Sequence, residues 1–313
     1  MIDVLIQMGG LILCGVLWRA WQPGGLQADA VRPALTALVY YILLPALILR
    51  VLWQAPLGAD SLRLALLAAA TILLALATAA AVYRVGRTPP RLAGALVLAA
   101  AFPNVIYLGL PVVGQALGTW AQAIIIQYDL FAAFPLLMTV GVLIAQHYGQ
   151  RADGRRGTTP LTPRRLLRAF AAVPPLWAGI AAVGLNLGGV GLPEGLDRWL
   201  ELLGNGVVPL MLIALGMALR WDVVHWRRLP VLAPALVIQL ALMPLFAWWA
   251  GPVLGLPSAT LAVLVLGSAM PSMVIGLVFC DRHGLDTGAY AAAVTLSTAC
   301  SALTLPLWHA LVG

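Results

Sequence analysis

The sequence predicts an all-α integral membrane protein: ten transmembrane helices in two inverted five-helix repeats, with broken, crossing fourth and ninth helices. Three observations carry this prediction. The 313 residues are 62% hydrophobic and 9% charged, with a mean hydropathy of +0.97, which fits no soluble class. Apolar runs of about 20 residues recur almost end to end, each long enough for ~30 Å of hydrocarbon. Finally, residues 94–104 (GALVLAAAFPN) return at 262–272 as AVLVLGSAMPS, with five of eleven positions identical at an offset of 168.

The ten runs are 3–21, 31–53, 61–83, 91–117, 121–146, 169–189, 200–220, 230–254, 258–280 and 288–312. In the first, Leu11-Ile-Leu-Cys14 weakly matches a lipoprotein cleavage site. A large Leu13 precedes the cysteine, and Asp3 stands where positive charge would be needed, so a retained helix is predicted. The second and third runs meet the length requirement directly. The fourth passes through Phe102-Pro103-Asn104-Val-Ile-Tyr107-Leu-Gly109-Leu-Pro111. Each proline removes a backbone donor and clashes with the preceding turn, so a regular helix cannot continue. The fifth run carries one charge, Asp129. Residues 147–168 (HYGQRADGRRGTTPLTPRRLLR) form the sustained polar stretch of the chain and separate residues 1–146 from 169–313. Five spans per half is an odd number, so the second half enters the membrane inverted. The ninth run breaks at Ser268-Ala-Met270-Pro271-Ser272, the counterpart of the fourth.

Paired interruptions in corresponding helices point to a transporter's binding site near the membrane midplane. Irregular backbone at that depth must be covered by protein or water. The freed N–H groups would attract an anion and the freed carbonyls a cation. A single proline kinking a packed helix is the simpler alternative, but it does not explain a matched pair.

The net charge of +7 serves topology. All eighteen basic residues are arginine. With the termini outside, Arg19, Arg32, Arg84, Arg87, Arg91, Arg151, Arg155, Arg156, Arg164, Arg165, Arg168, Arg220, Arg227, Arg228 and Arg282 are cytoplasmic; Arg50, Arg63 and Arg198 are not. Fifteen against three is a strong positive-inside bias. It sets both termini outside a cell (inner) membrane and residues 147–168 in the cytoplasm, and it argues against nucleic-acid binding. The linker's arginines could meet anionic lipid, although fixing topology is the simpler role. Cys14, Cys280 and Cys300 have neither metal nor redox spacing.

The fourth-run motif Asn104-Val-Ile-Tyr-Leu-Gly109-Leu-Pro111 resembles the Asn-x-Gly-x-x-Gly-x-Pro signature of the auxin efflux carrier superfamily. That family includes plant PIN carriers and bacterial malonate-type transporters. The likeness extends through Leu38-Val-Tyr-Tyr-Ile-Leu-Leu-Pro45, Tyr128-Asp129-Leu, and Leu296-Ser-Thr298-Ala-Cys-Ser301-Ala-Leu-Thr304-Leu-Pro306, so it covers nearly the whole chain. Ile106 departs from it, standing where the family has glycine. The resemblance implies crossed fourth and ninth helices and a scaffold of spans 1, 2, 6 and 7 that forms a homodimer. It also implies a mobile, elevator-type transport domain and small organic anions as substrates, from mono- and dicarboxylates to indole acetate.

The candidate substrate-binding residues are Asn104, Pro103, Pro271, Ser272, Tyr107 and Gly109. An amide such as Asn104 donates two hydrogen bonds without bringing charge; the alternative is that it caps the second half-helix. Asp129, about 6 Å from the centre of its span, is expensive in hydrocarbon and should face the bundle interior. It is a candidate coupling site for a proton or Na⁺, and Gln127, Ser297 and Thr298 are the other coupling candidates; the alternative for Asp129 is a structural acid. Tyr128 and Ser301 are further lining candidates, and helix–helix hydrogen bonding is their simpler role. No catalytic residue, metal site or resident cofactor is predicted. A membrane-embedded enzyme would need a nucleophile–base pair at depth, whereas His147, His225, His283 and His309 all lie near span ends. Other transport readings are a sodium-coupled carrier of the bile-acid type and a channel.

Overall fold

Proline spacing shapes this bundle more than any other sequence feature. In a computed structural model, residues 2–152 and 162–312 are described, and they form helices joined by short connections. Helices α1 (Ile2–Trp21), α2 (Ala28–Trp53), α3 (Ala59–Val85), α4 (Pro90–Ala101), α5 (Val105–Ala116) and α6 (Trp120–Ala152) come from the first part. The second part opens with α7 (Pro163–Ala171), α8 (Pro174–Leu187), α9 (Glu194–Gly204) and α10 (Val207–Ala218). The chain continues through α11 (Trp226–Leu254), α12 (Ser258–Ser268), α13 (Gly276–Arg282) and α14 (Thr287–Val312). Among the described residues, six helical stretches are long and apolar enough to cross a membrane: α2, α3, α6, Glu194–Val223, α11 and α14. Shorter apolar helices cover Ile6–Trp21, α4, α5, α8 and α12.

The prolines leave a recurring mark. Before Pro45, Pro111, Pro135 and Pro244 the helix widens into a π turn: Val39–Leu43, Val105–Gly109, Asp129–Ala133 and Ile238–Leu242. In each, the residue just before the proline donates five positions back, as Leu44 does to Val39. A proline ring clashes with the carbonyl four residues earlier, and the wider turn relieves that clash without ending the helix. At Pro103 and Pro271 no such accommodation occurs. Phe102 is extended and α4 stops at Ala101; α12 stops at Ser268 and helix resumes only at Gly276.

Two sets of helices pack within themselves. One comprises α1, α2, α8, α9 and α10; the other comprises α3, α4, α6, α11, α12, α13 and α14. In the first set, α1 and α10 meet backbone to backbone at Gly15 and Gly216. A methyl on Gly216 would overlap the Ile12 carbonyl oxygen, and one on Gly15 the Ile213 carbonyl oxygen. Gly216→Ala should therefore force the pair apart at a cost of about 1–3 kcal/mol. Thermal unfolding in detergent should give a lower Tm for Gly216→Ala. Gly9→Ala, on open space in α1, should not lower it.

Helix enters the polar stretch at 147–168 from both sides. Helix α6 continues to Ala152 and α7 begins at Pro163. Residues 153–161, including Arg155 and Arg156, lie outside the described residues. The seventh apolar run also gains an amphipathic lead-in, because α9 starts at Glu194 and carries Asp197 and Glu201 outward to meet Arg50 of α2.

Candidate functional site

The two breaks meet. Pro103 and Ser272 form an isolated antiparallel bridge, in which the Asn104 N–H donates to the Pro271 carbonyl (2.7 Å) and the Met273 N–H to the Phe102 carbonyl (2.9 Å). Two broken helices thereby satisfy each other's freed backbone at the point of crossing, as buried polar backbone requires. Side chains hold the remainder. Gln239, in the π turn of α11, donates to the Met270 carbonyl (2.9 Å), and the Ser272 hydroxyl donates to the Ala99 carbonyl (2.6 Å). The Ser297 hydroxyl of α14 accepts from the Ser272 N–H (3.1 Å). The Tyr128 and Ser268 hydroxyls lie 3.4 Å apart.

These bonds sort the predicted residues. Pro103, Pro271 and Ser272 build the crossing, with Ser297 bracing it. Gly109 lies against Met270, and its N–H donates to the Asn104 carbonyl at 3.0 Å. Asn104 and Tyr107 instead border a cavity of about 70 Å³ beside the crossing. Asn104 Oδ1 accepts from the Tyr107 N–H (3.3 Å), capping α5; its Nδ2 is buried and has no hydrogen-bond partner among the described residues. The residue is thus a cap with one donor left over.

Asp129 lines the same cavity from the opening of a π turn in α6, and among the described residues no hydrogen bond or ion pair reaches its carboxylate. The reading of Asp129 as an acid bonded to a neighbouring helix has no contact to support it. Gln127, two residues earlier, faces a separate cavity of about 630 Å³ with Arg50, Asp60 and Glu201. Thr298 is buried, and its hydroxyl lacks a partner among the described residues. The four candidate coupling residues therefore occupy different positions, with Asp129 alone on the crossing cavity. Tyr128 is buried at α12, and the Ser301 hydroxyl donates to the Thr298 carbonyl within α14.

The cavity also takes Tyr40, Phe134, Met273 and Val274, which the sequence reading did not single out, and Ile106, which is 8% exposed. Tyr40 lies in the π turn before Pro45, and Met273 comes two residues after the broken Pro271. The discoverable signal was proximity to a mid-span proline. A vestibule of about 400 Å³ adjoins the cavity, sharing Tyr40, Tyr107, Val274 and Ile275 with it. A further pocket of about 300 Å³ shares Arg32 and Leu277 with the vestibule and includes Arg19 and Arg220.

Comparison with known proteins agrees with this architecture. The model of a family described as "Membrane transport protein" matches residues 6–309. An uncharacterized transporter of Methanothermobacter thermautotrophicus is 31% identical over 216 residues, 68% of this chain and 66% of that protein. The uncharacterized transporter YfdV of Escherichia coli K12 is 25% identical over 215 residues, 67% of this chain and 65% of that protein. The matched part thus spans just under two thirds of each relative's length. With crossed, proline-broken helices beside an orphan amide, and a family match from residue 6 to residue 309, this chain belongs to the membrane transport protein family, that of the auxin efflux carriers.

Proposed function

We propose that the protein is a secondary active transporter that moves a small organic anion across the cytoplasmic membrane by alternating access at the crossed helices. The observation that carries this reading is Asn104: the residue lines the cavity, and its buried Nδ2 has no hydrogen-bond partner among the described residues. Leaving such a group unpaired costs ~1–3 kcal/mol, a cost that a bound carboxylate oxygen would remove. The N-terminus of α5, capped by Asn104, adds a favourable field for negative charge.

Ten transmembrane helices in two inverted repeats fit the bonds between the halves. Arg19, at the end of α1, donates to the Met217 carbonyl at the end of α10 (2.7 Å). Asn186, at the end of α8, donates to the Trp53 and Ala55 carbonyls that terminate α2 (2.7 and 2.8 Å). In each case the first span of one half caps the second span of the other, a reciprocity that a two-fold axis in the membrane plane would produce. The first packing set serves as a scaffold on which a second copy docks, and the second set moves as the elevator.

Asp129 gives the coupling logic. A substrate carboxylate entering so small a cavity would lie ~5–8 Å from Asp129 and be repelled by about 2–3 kcal/mol at an effective dielectric of ~20. A proton or Na⁺ on Asp129 removes that repulsion, so cation loading and substrate loading become linked.

Uptake of radiolabelled mono- and dicarboxylates into proteoliposomes, with and without Na⁺ and pH gradients, tests this reading. Saturable, gradient-driven uptake of a carboxylate is expected. Uptake no greater than that of protein-free vesicles across the whole set overturns it. Orientation is tested separately on a cysteine-free background. Gly195→Cys should react with an impermeant thiol reagent in intact cells, and Gly157→Cys only after permeabilisation. Labelling of position 157 in intact cells reverses the assignment.

A further inference from the structure

In the pocket lined by Arg19, Asp29, Arg32 and Arg220, two of the three guanidinium groups are forked onto carboxylates. Arg19 is forked onto Asp29 (2.5 and 3.3 Å) and also donates to the Met217 carbonyl. Arg220 is forked onto Asp222 (2.9 and 2.7 Å). Arg32 shares their pocket, yet among the described residues no ion pair reaches it, and its buried Nε has no hydrogen-bond partner. Arg32 also lines the vestibule, so it stands between the arginine pocket and that chamber.

The rest of that vestibule carries no charge. Its walls include Tyr40, Tyr41, Tyr107, Leu215 and Val278, and its inner end shares Tyr40 and Tyr107 with the cavity that holds Asn104 and Asp129. Within the vestibule a solute meets one guanidinium, that of Arg32, then aromatic and aliphatic walls, and then the cavity lined by Asn104 and Asp129. One carboxylate has a partner at each stage. A second carboxylate would find no second cation in the vestibule and would approach Asp129 at the end, at a Coulombic cost.

We propose that Arg32 is a specificity-determining residue that captures the carboxylate of a monocarboxylate with an apolar or aromatic body from the arginine-rich face, ahead of Asn104. A planar guanidinium pairs with a carboxylate through two parallel hydrogen bonds, and the tyrosine-lined vestibule takes the apolar body. This inference rests on the organic-anion reading above.

The test uses the full-length protein in vesicles of uncharged lipid, with acetate, phenylacetate and malonate as probes and transport measured from each face. Wild type should prefer phenylacetate to malonate. Arg32→Gln should raise the half-saturating phenylacetate concentration at the arginine-rich face at least tenfold, and leave it within about twofold at the other face. Added salt should weaken wild type at that face and leave Arg32→Gln unchanged. Should Arg32→Gln fail to insert, Arg32→Lys, which keeps the charge and loses the fork, should show a rise of about threefold. A preference for malonate, or unchanged half-saturation in the variant that inserts, overturns the proposal. So does an Arg32 effect that appears only when anionic lipid is added, since the residue would then serve a lipid headgroup. Phenylacetate uptake that Asn104→Ala weakens and Arg32→Gln leaves intact removes Arg32 and keeps the crossing site. Absence of carboxylate uptake by wild type removes both.

Discussion

Asn104→Ala should weaken substrate binding by about ten- to a hundredfold while leaving the protein folded. The two ends of the amide contribute separately. Nδ2 has no partner among the described residues, and a hydrogen bond to a charged group contributes ~1.5–3 kcal/mol. Each ~1.4 kcal/mol is a tenfold change in affinity. Oδ1 caps α5 through the Tyr107 N–H, and losing a cap costs ~1 kcal/mol of stability, which a bundle of this size tolerates. The crossing itself survives, because the bridge runs through the Asn104 and Met273 backbone N–H groups rather than through the side chain. Asn104→Asp separates the two roles: it keeps the capping oxygen, replaces the donor with negative charge, and should bind an anion still less well than Asn104→Ala. Equilibrium binding of a transported carboxylate, with thermal unfolding of the same preparations, checks both parts. Unchanged affinity in a folded Asn104→Ala removes Asn104 from the substrate site.

How much of this was legible in the sequence depended on the kind of residue. Proline announces itself, because a missing N–H within an apolar run has one structural meaning, so the crossing of Pro103 and Pro271 could be read from spacing. Polar residues inside the bundle were harder to assign. Ser272 and Asn104 occupy similar places beside their prolines, yet the Ser272 hydroxyl is committed to the Ala99 carbonyl, while Asn104 keeps a free donor. Nothing in residue type separates those outcomes; they depend on which backbone group happens to lie opposite. The π turns obscured facing as well. Each extra residue rotates the downstream helix by ~100° relative to a regular one, and α6 contains two such turns, Asp129–Ala133 and Leu137–Gly141. Gln127 and Asp129 serve different cavities for a simpler reason, since residues two apart on a helix point ~200° away from each other. Arg32 shows a third limit. By composition it is one of eighteen arginines and reads as a topology signal; that no ion pair reaches it among the described residues is visible only once Asp29 and Asp222 are seen to be forked by Arg19 and Arg220.

Asp129→Asn should abolish accumulation of substrate against a gradient while sparing its exchange across the membrane. In the wild type, Asp129 lines the crossing cavity with no partner among the described residues, and in the proposed coupling a loaded cation balances its charge. Binding an anion without that cation would place two like charges in one small space, at ~2–3 kcal/mol. Substrate affinity should then rise with the coupling cation, because each ligand strengthens the other by the same factor. The amide introduced by Asp129→Asn is close in size to the carboxylate but carries no charge, so substrate binding loses its need for a cation. Half-saturation should become independent of Na⁺ or pH, whichever couples the wild type, and counterflow should persist at a rate within a few-fold. Net concentration should fail, because the gradient no longer has a ligand through which to act. The direction of the pH effect identifies the ion. If protons couple, wild-type affinity rises as pH falls and Asp129→Asn is flat; if Na⁺ couples, the variant loses its Na⁺ stimulation while the pH profile stays close to that of wild type. Gradient-driven uptake and counterflow on one preparation separate these outcomes. Undiminished accumulation by Asp129→Asn would remove Asp129 from the coupling mechanism and leave it a structural acid.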